Sequence, residues 1–207
     1  MEREELDLHQ ERLQRVAALL KVSGARRVLD LGCGSGGLLQ YLLREPQFEQ
    51  LVGLELSGEL LAQAKMRFET LSDEIRSRLE LVCGSYADPP GHLAGFDAAA
   101  MVETIEHVPP ASLSRVEHAI FAGLRPRVLV LTTPNREFNP LYGLAPGEFR
   151  EPDHKFEWER ARFAGWAKGV ASRNGYRVSL SGIGEWHSDL GQPTQLARFE
   201  RNDCQAV

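Results

Sequence analysis

The feature that most restricts the fold of this chain is a glycine-rich turn between an apolar run and a helical pattern. Residues 26–31 read R-R-V-L-D-L, residues 32–36 read G-C-G-S-G, and leucines recur at helical spacing over residues 38–43. A strand that enters a tight turn and leaves as a helix is the opening of a βαβ unit. A second strand over residues 51–56 and a helix over 60–71 complete that unit. The sequence therefore predicts parallel strands joined by helical crossovers.

The rest of the chain continues the alternation of apolar runs and helical patterns. An amphipathic lead helix is predicted over residues 6–22, and further helices over 111–124 and 160–174. The seven predicted strands span residues 26–31, 51–56, 79–83, 96–102, 128–132, 176–181 and 195–199. Strands that alternate with helices predict an α/β fold with a doubly wound, seven-stranded and mostly parallel sheet.

Composition and charge fit a single globular, intracellular domain. The three cysteines, Cys33, Cys83 and Cys204, lie far apart without C-x-x-C spacing, so neither a disulfide framework nor a zinc site is expected. No signal peptide or apolar membrane span is recognisable, which predicts a cytoplasmic protein without membrane association. The net charge of −5 argues against a generally basic nucleic-acid-binding surface, but residues 121–207 carry 12 basic and 10 acidic side chains. An anionic partner should meet that part of the chain.

The glycine turn has the form G-x-G-x-G and follows an acidic residue. Asp30 is followed by Gly32, Gly34 and Gly36, whereas a nicotinamide-binding fingerprint would read G-x-G-x-x-G. The string resembles the first motif of the class I (Rossmann-like) methyltransferases, whose loop wraps around S-adenosylmethionine. The resemblance implies that these four residues bind this cofactor. An ordinary glycine turn without a ligand is the alternative.

Two further residues follow the next two predicted strands at the same edge of the sheet. Glu55 ends the second strand and can accept hydrogen bonds from both ribose hydroxyls of the cofactor, because an ionised carboxylate is acceptor-only. Ser85 follows the third strand, where enzymes of this class commonly contact adenine. Both residues are therefore predicted cofactor contacts.

Two carboxylates and an imidazole follow the fourth predicted strand. Residues 96–107 read F-D-A-A-A-M-V-E-T-I-E-H, so Glu106 and His107 come three and four residues after Glu103. If the chain turns helically there, the three side chains share one face at the carboxyl edge of the sheet. Such a mixed oxygen and nitrogen site suits Mg²⁺ or Mn²⁺. The alternative is a solvated acidic turn that caps a helix.

Two long strings later in the chain add weight to the metal interpretation. Residues 132–139 read T-T-P-N-R-E-F-N and residues 153–158 read D-H-K-F-E-W. With E-x-x-E-H-V, they resemble the HUA-enhancer family of RNA 3′-terminal 2′-O-methyltransferases over about residues 13–200. The resemblance implies S-adenosylmethionine- and metal-dependent methylation of the terminal 2′-hydroxyl of RNA that ends in a free 2′,3′-diol. The metal ligands that it implies are Glu103, Glu106, His107 and His154.

The same resemblance implies a domain organisation and a partner. Residues 1–207 would form a single methyltransferase domain, with a cofactor half over 26–102 and a metal and RNA-end half over 103–200. Bacterial members often work beside an RNA repair enzyme, so an RNA repair kinase or ligase is an expected partner. One departure from the family occurs at residues 150–152, which read R-E-P where many members carry a further histidine.

The chemistry of proton removal stays open at this point. His107 is the predicted catalytic residue, but a metal ligand has its lone pair occupied, so solvent is the alternative proton acceptor. A metal-dependent small-molecule O-methyltransferase that acts on a vicinal diol or catechol also remains open. A third reading is a non-catalytic RNA-binding subunit that retains the cofactor.

Candidate RNA contacts lie beside the metal motifs. Arg136, Arg150 and Lys155 are candidate phosphate contacts, with ordinary surface charge as the alternative for each. Phe156 and Trp158 are candidates for stacking on a terminal base, and packing in the core is the favoured alternative for both.

Overall fold

The computed structural model describes residues 2–202, with side chains from residue 7 onward, and Cys204 lies outside the described residues. Its strands are β1 (Arg27–Leu31), β2 (Gln50–Glu55), β3 (Leu79–Cys83), β4 (Ala98–Val102), β5 (Val128–Pro134), β6 (Tyr176–Ile183) and β7 (Thr194–Arg201). They form one sheet in the order β3-β2-β1-β4-β5-β7-β6. The first five strands run parallel, and β7 pairs antiparallel with both β5 and β6. The predicted seven-stranded, mostly parallel sheet is confirmed.

The helices follow the predicted alternation, with differences at their ends. They are α1 (Glu2–Val22), α2 (Gly37–Leu42), α3 (Gly58–Phe68), α4 (Asp73–Arg76), α5 (Leu113–His118) and α6 (Arg160–Asn174). Helix α6 has the predicted bounds, whereas α1 begins at Glu2 rather than at residue 6. The apolar pattern marks only the part of a helix that packs, so it underestimates the helical length.

The helix predicted over 111–124 is divided into three parts. A 3-10 turn (Pro110–Ser112) leads into α5, and a π-helical segment (Ala119–Leu124) follows. The segment ends at Leu124, and the backbone N–H of the following Arg125 donates to the carbonyl of Ile120 at 2.8 Å. Its buried side chains are Ile120, Phe121 and Leu124. Regular α-helical spacing is therefore not kept to the end of the predicted helix.

Two hydrophobic cores lie on opposite faces of the sheet. Because side chains alternate along a strand, Val28 of β1 packs in the core with α1, α2 and α3, whereas Leu29 and Leu31 pack in the core with α5 and α6. Helices therefore cover both faces, as the predicted doubly wound arrangement requires. None of the described helices has the length and apolar character needed to cross a membrane.

This topology brings the segments with unusual sequence to one edge. The carboxyl ends of β1, β2, β3, β4 and β5 all lie there because the five strands are parallel. The antiparallel pairing of β5 with β7 adds the segment before Thr194 to the same edge, since Pro134 lies opposite Thr194. A 3-10 helix (Arg136–Tyr142) follows β5, and an isolated bridge joins Asn135 to Trp158.

Candidate active site

The turn after β1 begins with two glycines in the left-handed region. Gly32 and Gly34 have φ angles of +82° and +54°, a region that residues with a side chain rarely occupy. A Cβ atom on Gly32 would lie 2.5 Å from Cγ2 of Thr104, whereas a Cβ on Gly34 would meet no described atom within 4 Å. The N–H of Gly34 donates to Oε2 of Glu55 at 2.9 Å. The turn is thus fastened to the end of β2 and leaves open space beside Gly34.

The third glycine of the motif has a different environment. Gly36 also has a positive φ, +86°, but a Cβ atom there would lie 2.6 Å from Cε2 of Phe68 on α3. It is not among the residues that line the neighbouring cavity. Its position indicates a packing role behind the turn, and its contact with the cofactor stays a prediction.

A cavity of about 860 Å³ opens at this edge of the sheet. The predicted cofactor contacts and candidate metal ligands that line it are Asp30, Gly32, Gly34, Glu55, Ser85, Glu103 and His107. Helix α1 closes one wall with His9, Gln10 and Leu13. The cavity therefore joins the glycine turn to the segment that follows β4.

Asp30 is the most perturbed carboxyl group on the cofactor side. Burial, and then the negative charge of Glu55, raises the pKa of Asp30 to about 7. Its Oδ2 atom is buried and accepts no hydrogen bond from any described residue. A buried acceptor without a donor is costly, so this atom is suited to a ligand that brings a positive charge or a hydrogen-bond donor.

Glu106, His107 and His154 form a compact group, of which His107 lines the cavity. Each offers one potential ligand atom, and these atoms lie within 4.8 Å of one another. Glu106 is fully buried, its Oε2 accepts a hydrogen bond from Oγ1 of Thr133 at 3.0 Å, and its Oε1 has no donor among the described residues. Burial, and then the charge of Glu103, raises the pKa of Glu106 well above its usual range.

The structure sets Glu103 apart from these three residues. The expected helical turn after β4 is a 3-10 turn (Ile105–His107), and Glu103 precedes it in a left-handed conformation with φ of +50°. Its Oε2 lies 3.5 Å from Arg12 of α1, and its buried Oε1 has no donor in the described part of the chain. Glu103 therefore lies next to the compact group without sharing one helical face with it.

In both His107 and His154, a carboxylate lies within hydrogen-bond distance of Nδ1. Nδ1 of His107 lies 2.9 Å from Oδ2 of Asp153, and Nδ1 of His154 lies 2.6 Å from Oε1 of Glu157. Such partners leave Nε2 of a metal-binding histidine available. Sequence reasoning did not single out Glu157, although its position three residues after His154 in D-H-K-F-E-W was a usable signal.

Glu157 is itself held by a buried network. Burial raises its pKa, but hydrogen bonds from His154, Asn139 and the backbone N–H of Arg150 outweigh that effect and leave the pKa below its usual value. The Arg150 side chain points inward, with Nε donating to Oδ1 of Asn139 and Nη2 to the carbonyl of Asn135. These bonds occupy the guanidinium of Arg150, one of the candidate phosphate contacts.

The other candidate RNA contacts divide into buried and exposed residues. Phe156 and Trp158 are buried and stack on each other with ring centroids 4.2 Å apart, which favours the packing alternative. Arg136 and Lys155 are exposed. Arg136 also lines a pocket of about 350 Å³ together with Arg162. That pocket has the segment around Glu157 as part of its wall.

The residues present fit a divalent cation. Oε1 of Glu106 is buried without a described donor, so a cation held among Glu106, His107 and His154 would satisfy it. Oε1 of Glu103, outside that compact group, is also buried without a described donor. The imidazoles of His107 and His154 add nitrogen donors, and mixed oxygen and nitrogen ligands suit Mg²⁺ or, more strongly, Mn²⁺.

Comparison with known proteins agrees with this reading of the fold. A family description for a methyltransferase domain matches residues 28–127. The small RNA 2′-O-methyltransferase of Mus musculus is 35% identical over 204 aligned residues, which cover 94% of this chain and 51% of the mouse protein. The chain thus spans about half the length of the curated relatives it matches.

Solved structures extend the comparison. The methyltransferase domain of bacterial CtHen1-C is 38% identical, with a TM-score of 0.86 and coverage of 95% of this chain and all of that domain. A chain of the Pnkp1/Rnl/Hen1 RNA repair complex shares the fold, with a TM-score of 0.68, 21% identity and coverage of 94% of this chain and 42% of that one. With 38% identity over the whole bacterial methyltransferase domain, this chain belongs to the Hen1 methyltransferase family that its motifs resemble.

Proposed function

We propose that this chain transfers the methyl group of S-adenosylmethionine to the 2′-hydroxyl of the 3′-terminal ribose of RNA, with a divalent metal ion. The observation that carries the proposal is the shared cavity, in which Gly34 and Glu55 line the same space as Glu103 and His107. Methyl transfer requires the sulfonium and the hydroxyl to be held in line in one site. The activity named for the mouse relative supports RNA as the substrate.

The cofactor side has suitable groups for each part of S-adenosylmethionine. Asp30 offers a buried oxygen for the ammonium group of the aminoacyl part. Glu55 accepts the N–H groups of Gly34 and Ser57, and each carboxylate oxygen retains a further lone pair for a ribose hydroxyl. Ser85 lines the cavity on the β3 side, where adenine would lie.

Glu103, Glu106, His107 and His154 would hold Mg²⁺ or Mn²⁺. When bound, the ion supplies a Lewis acid that lowers the pKa of the ribose hydroxyl and favours an end with both hydroxyls free. Nδ1 of His107 faces Asp153, so with its other nitrogen on the metal side His107 has no lone pair for the proton. His107 then contributes to catalysis as a ligand, and solvent takes the proton.

The RNA strand is proposed to approach over the pocket of Arg136 and Arg162. Both arginines line this pocket together with Glu157, so phosphates near the terminal nucleotide would meet positive charge there. Arg136→Gln should weaken RNA binding and reduce the dependence of affinity on salt, measured by fluorescence anisotropy. An unchanged salt dependence would remove Arg136 from the RNA path.

We further propose that residues 1–207 act as one methyltransferase domain and that an RNA repair kinase or ligase is a partner. The shared fold of a chain in the Pnkp1/Rnl/Hen1 complex supports the partner. Methyl transfer by the purified chain alone would support the domain proposal, and no transfer without added protein would contradict it. Sedimentation with a purified kinase–ligase pair would test the partner.

The function is tested with radiolabelled S-adenosylmethionine and short RNAs that end in a 2′,3′-diol, a 3′-phosphate, a 2′-deoxyribose or a 3′-deoxyribose. Label should appear only on the diol and only with Mn²⁺ or Mg²⁺. His107→Ala should abolish transfer, whereas the exposed His118→Ala serves as the matched control. Label on a catechol but on no RNA, from protein that binds the cofactor, would instead support a small-molecule enzyme.

A further inference from the structure

We infer that Glu157, with Asn139 and Arg150, is a positioning group that fixes the tautomer and orientation of His154. Nδ1 of His154 lies 2.6 Å from Oε1 of Glu157, and the two side chains are only 5% and 0% exposed. An ionised carboxylate has no hydrogen to donate, so Nδ1 must carry the proton. The lone pair of His154 then lies on Nε2. The inference rests on the proposed function only in taking His154 as a metal ligand.

The carboxylate of Glu157 is fixed from three directions. The backbone N–H of Arg150 donates to Oε1 at 2.7 Å, in addition to the bond from His154. The amide of Asn139 donates to Oε2. Rotation of the carboxylate would break all three bonds in a buried site, where an unpaired polar group is costly.

Arg150 fixes the amide of Asn139 in turn. Its Nε donates to Oδ1 of Asn139 at 2.8 Å, which orients the amide so that Nδ2 faces Glu157. Its Nη2 donates to the carbonyl of Asn135 at 2.6 Å, and its guanidinium lies 4.8 Å from the centre of the Tyr142 ring. The chain of contacts from Arg150 to His154 therefore consists of half-buried or buried groups whose donors and acceptors match.

The second imidazole provides an internal comparison. His107 also has a carboxylate on Nδ1, but the side chains of His107 and Asp153 are 36% and 69% exposed. Water can take over the hydrogen bond of the exposed Asp153 at little cost in free energy. It cannot replace the buried Glu157 in this way. Loss of Glu157 should therefore change the tautomer and orientation of His154 more than loss of Asp153 changes those of His107.

Glu157→Gln is the sharpest variant because it preserves shape while changing hydrogen bonding. The glutamine amide has one acceptor oxygen and one donor nitrogen, yet three donors face it from His154, Asn139 and Arg150. At least one donor must then face another donor. Glu159→Gln, an identical change at an exposed carboxylate two residues away, is the matched control.

Two measurements test the inference. Long-range proton–nitrogen correlation spectra of the metal-free protein should show His154 with its proton on Nδ1, and Glu157→Gln should populate the other tautomer. Titration with Mn²⁺ followed by electron paramagnetic resonance should give a Kd about 10- to 100-fold higher for Glu157→Gln. Asp153→Asn should raise the Kd less, and Glu159→Gln should leave it unchanged.

The outcomes separate this inference from the proposed function. A proton on Nε2 of His154 in the wild type, or a Glu157→Gln variant with unchanged tautomer and Mn²⁺ affinity, would overturn the inference. Absence of Mn²⁺ binding by the wild type would count against the proposed function, since the tautomer measurement needs no metal. If Glu157→Gln fails to fold, Arg150→Lys, which loses the bond to Asn139 and so holds the Glu157 carboxylate less firmly, should still raise the Kd for Mn²⁺.

Discussion

Substitution of Gly34 by alanine distinguishes the effect of backbone strain on stability from the effect of an added methyl group on cofactor affinity. Gly34 has a φ of +54°, and a Cβ atom there would meet no described atom within 4 Å, although the residue lines the cavity. Gly24, after helix α1, provides the matched control, because its φ is +71°, its Cβ position is equally open, and it does not line the cavity. Both variants place a side chain in the left-handed region.

The stability cost should be similar for the two variants. An L-residue in this conformation costs about 1–2 kcal/mol, which lowers the Tm of a domain of this size by roughly 2–8 °C. Cofactor affinity should change only for Gly34→Ala, since its new methyl group projects into the space where the ligand must approach. An overpacking cost of about 1–3 kcal/mol corresponds to a Kd roughly 5- to 160-fold higher.

Differential scanning calorimetry and isothermal titration with S-adenosylmethionine measure the two quantities separately. The expected pattern is a similar fall in Tm for both variants and a raised Kd for Gly34→Ala alone. Wild-type affinity in a folded Gly34→Ala variant would refute the assignment of the turn as the cofactor cradle. If the Gly34 and Gly24 variants lost cofactor affinity equally, the cause would be lower stability and not a blocked cofactor site.

Two further predictions concern the core and pH. Trp158→Ala should lower the free energy of unfolding by about 3–5 kcal/mol, measured with urea, because Trp158 is buried against Phe156; a loss below 1 kcal/mol would contradict its packing role. Asp30 has a folded pKa of about 7, raised above its ordinary 3.8, so its contribution to stability is complete below pH 3.8 and is lost as pH rises through 7. Without cofactor, wild type should therefore lose stability relative to Asp30→Asn between pH 5 and pH 8, and parallel curves would contradict the burial argument.

The fold was predictable because its signals are local and repeated. Helix α6 has the predicted bounds, and each predicted strand overlaps an observed one. Burial on both faces makes the parallel strands continuously apolar, and helices between them show apolar residues at helical spacing. The distinction between G-x-G-x-G and G-x-G-x-x-G was also visible without the structure.

The details of the candidate site depended on contacts that no local pattern records. Glu103 adopts a positive φ where its N–H donates to the carbonyl and the hydroxyl of Thr132, 29 positions later in the chain. Arg12 approaches Glu103 from the lead helix, which the sequence predicted only as an amphipathic helix. A helical reading of residues 103–107 could not anticipate either contact, because both depend on the assembled sheet.

Arg150 is a second residue whose environment could not be predicted from the local sequence. An arginine in a polar, proline-containing segment is expected on the surface, yet its side chain turns inward to Asn139 and Asn135. Two aromatic residues at alternate positions, Phe156 and Trp158, were more readily interpreted, because stacking within the core is the common use of such a pair. Charge alone therefore did not predict that Arg150 turns inward, whereas apolar character predicted the burial of Phe156 and Trp158.

The most direct test of the account is to locate the transferred methyl group. RNA with a free 2′,3′-diol is incubated with the chain, S-adenosylmethionine and Mn²⁺, and the 3′-terminal nucleoside is released and analysed by mass spectrometry. The account predicts one methyl group on the terminal 2′-oxygen, none after metal removal with a chelator, and none with Glu106→Gln. A methyl group on a base or an internal ribose, or full transfer without metal, would contradict it.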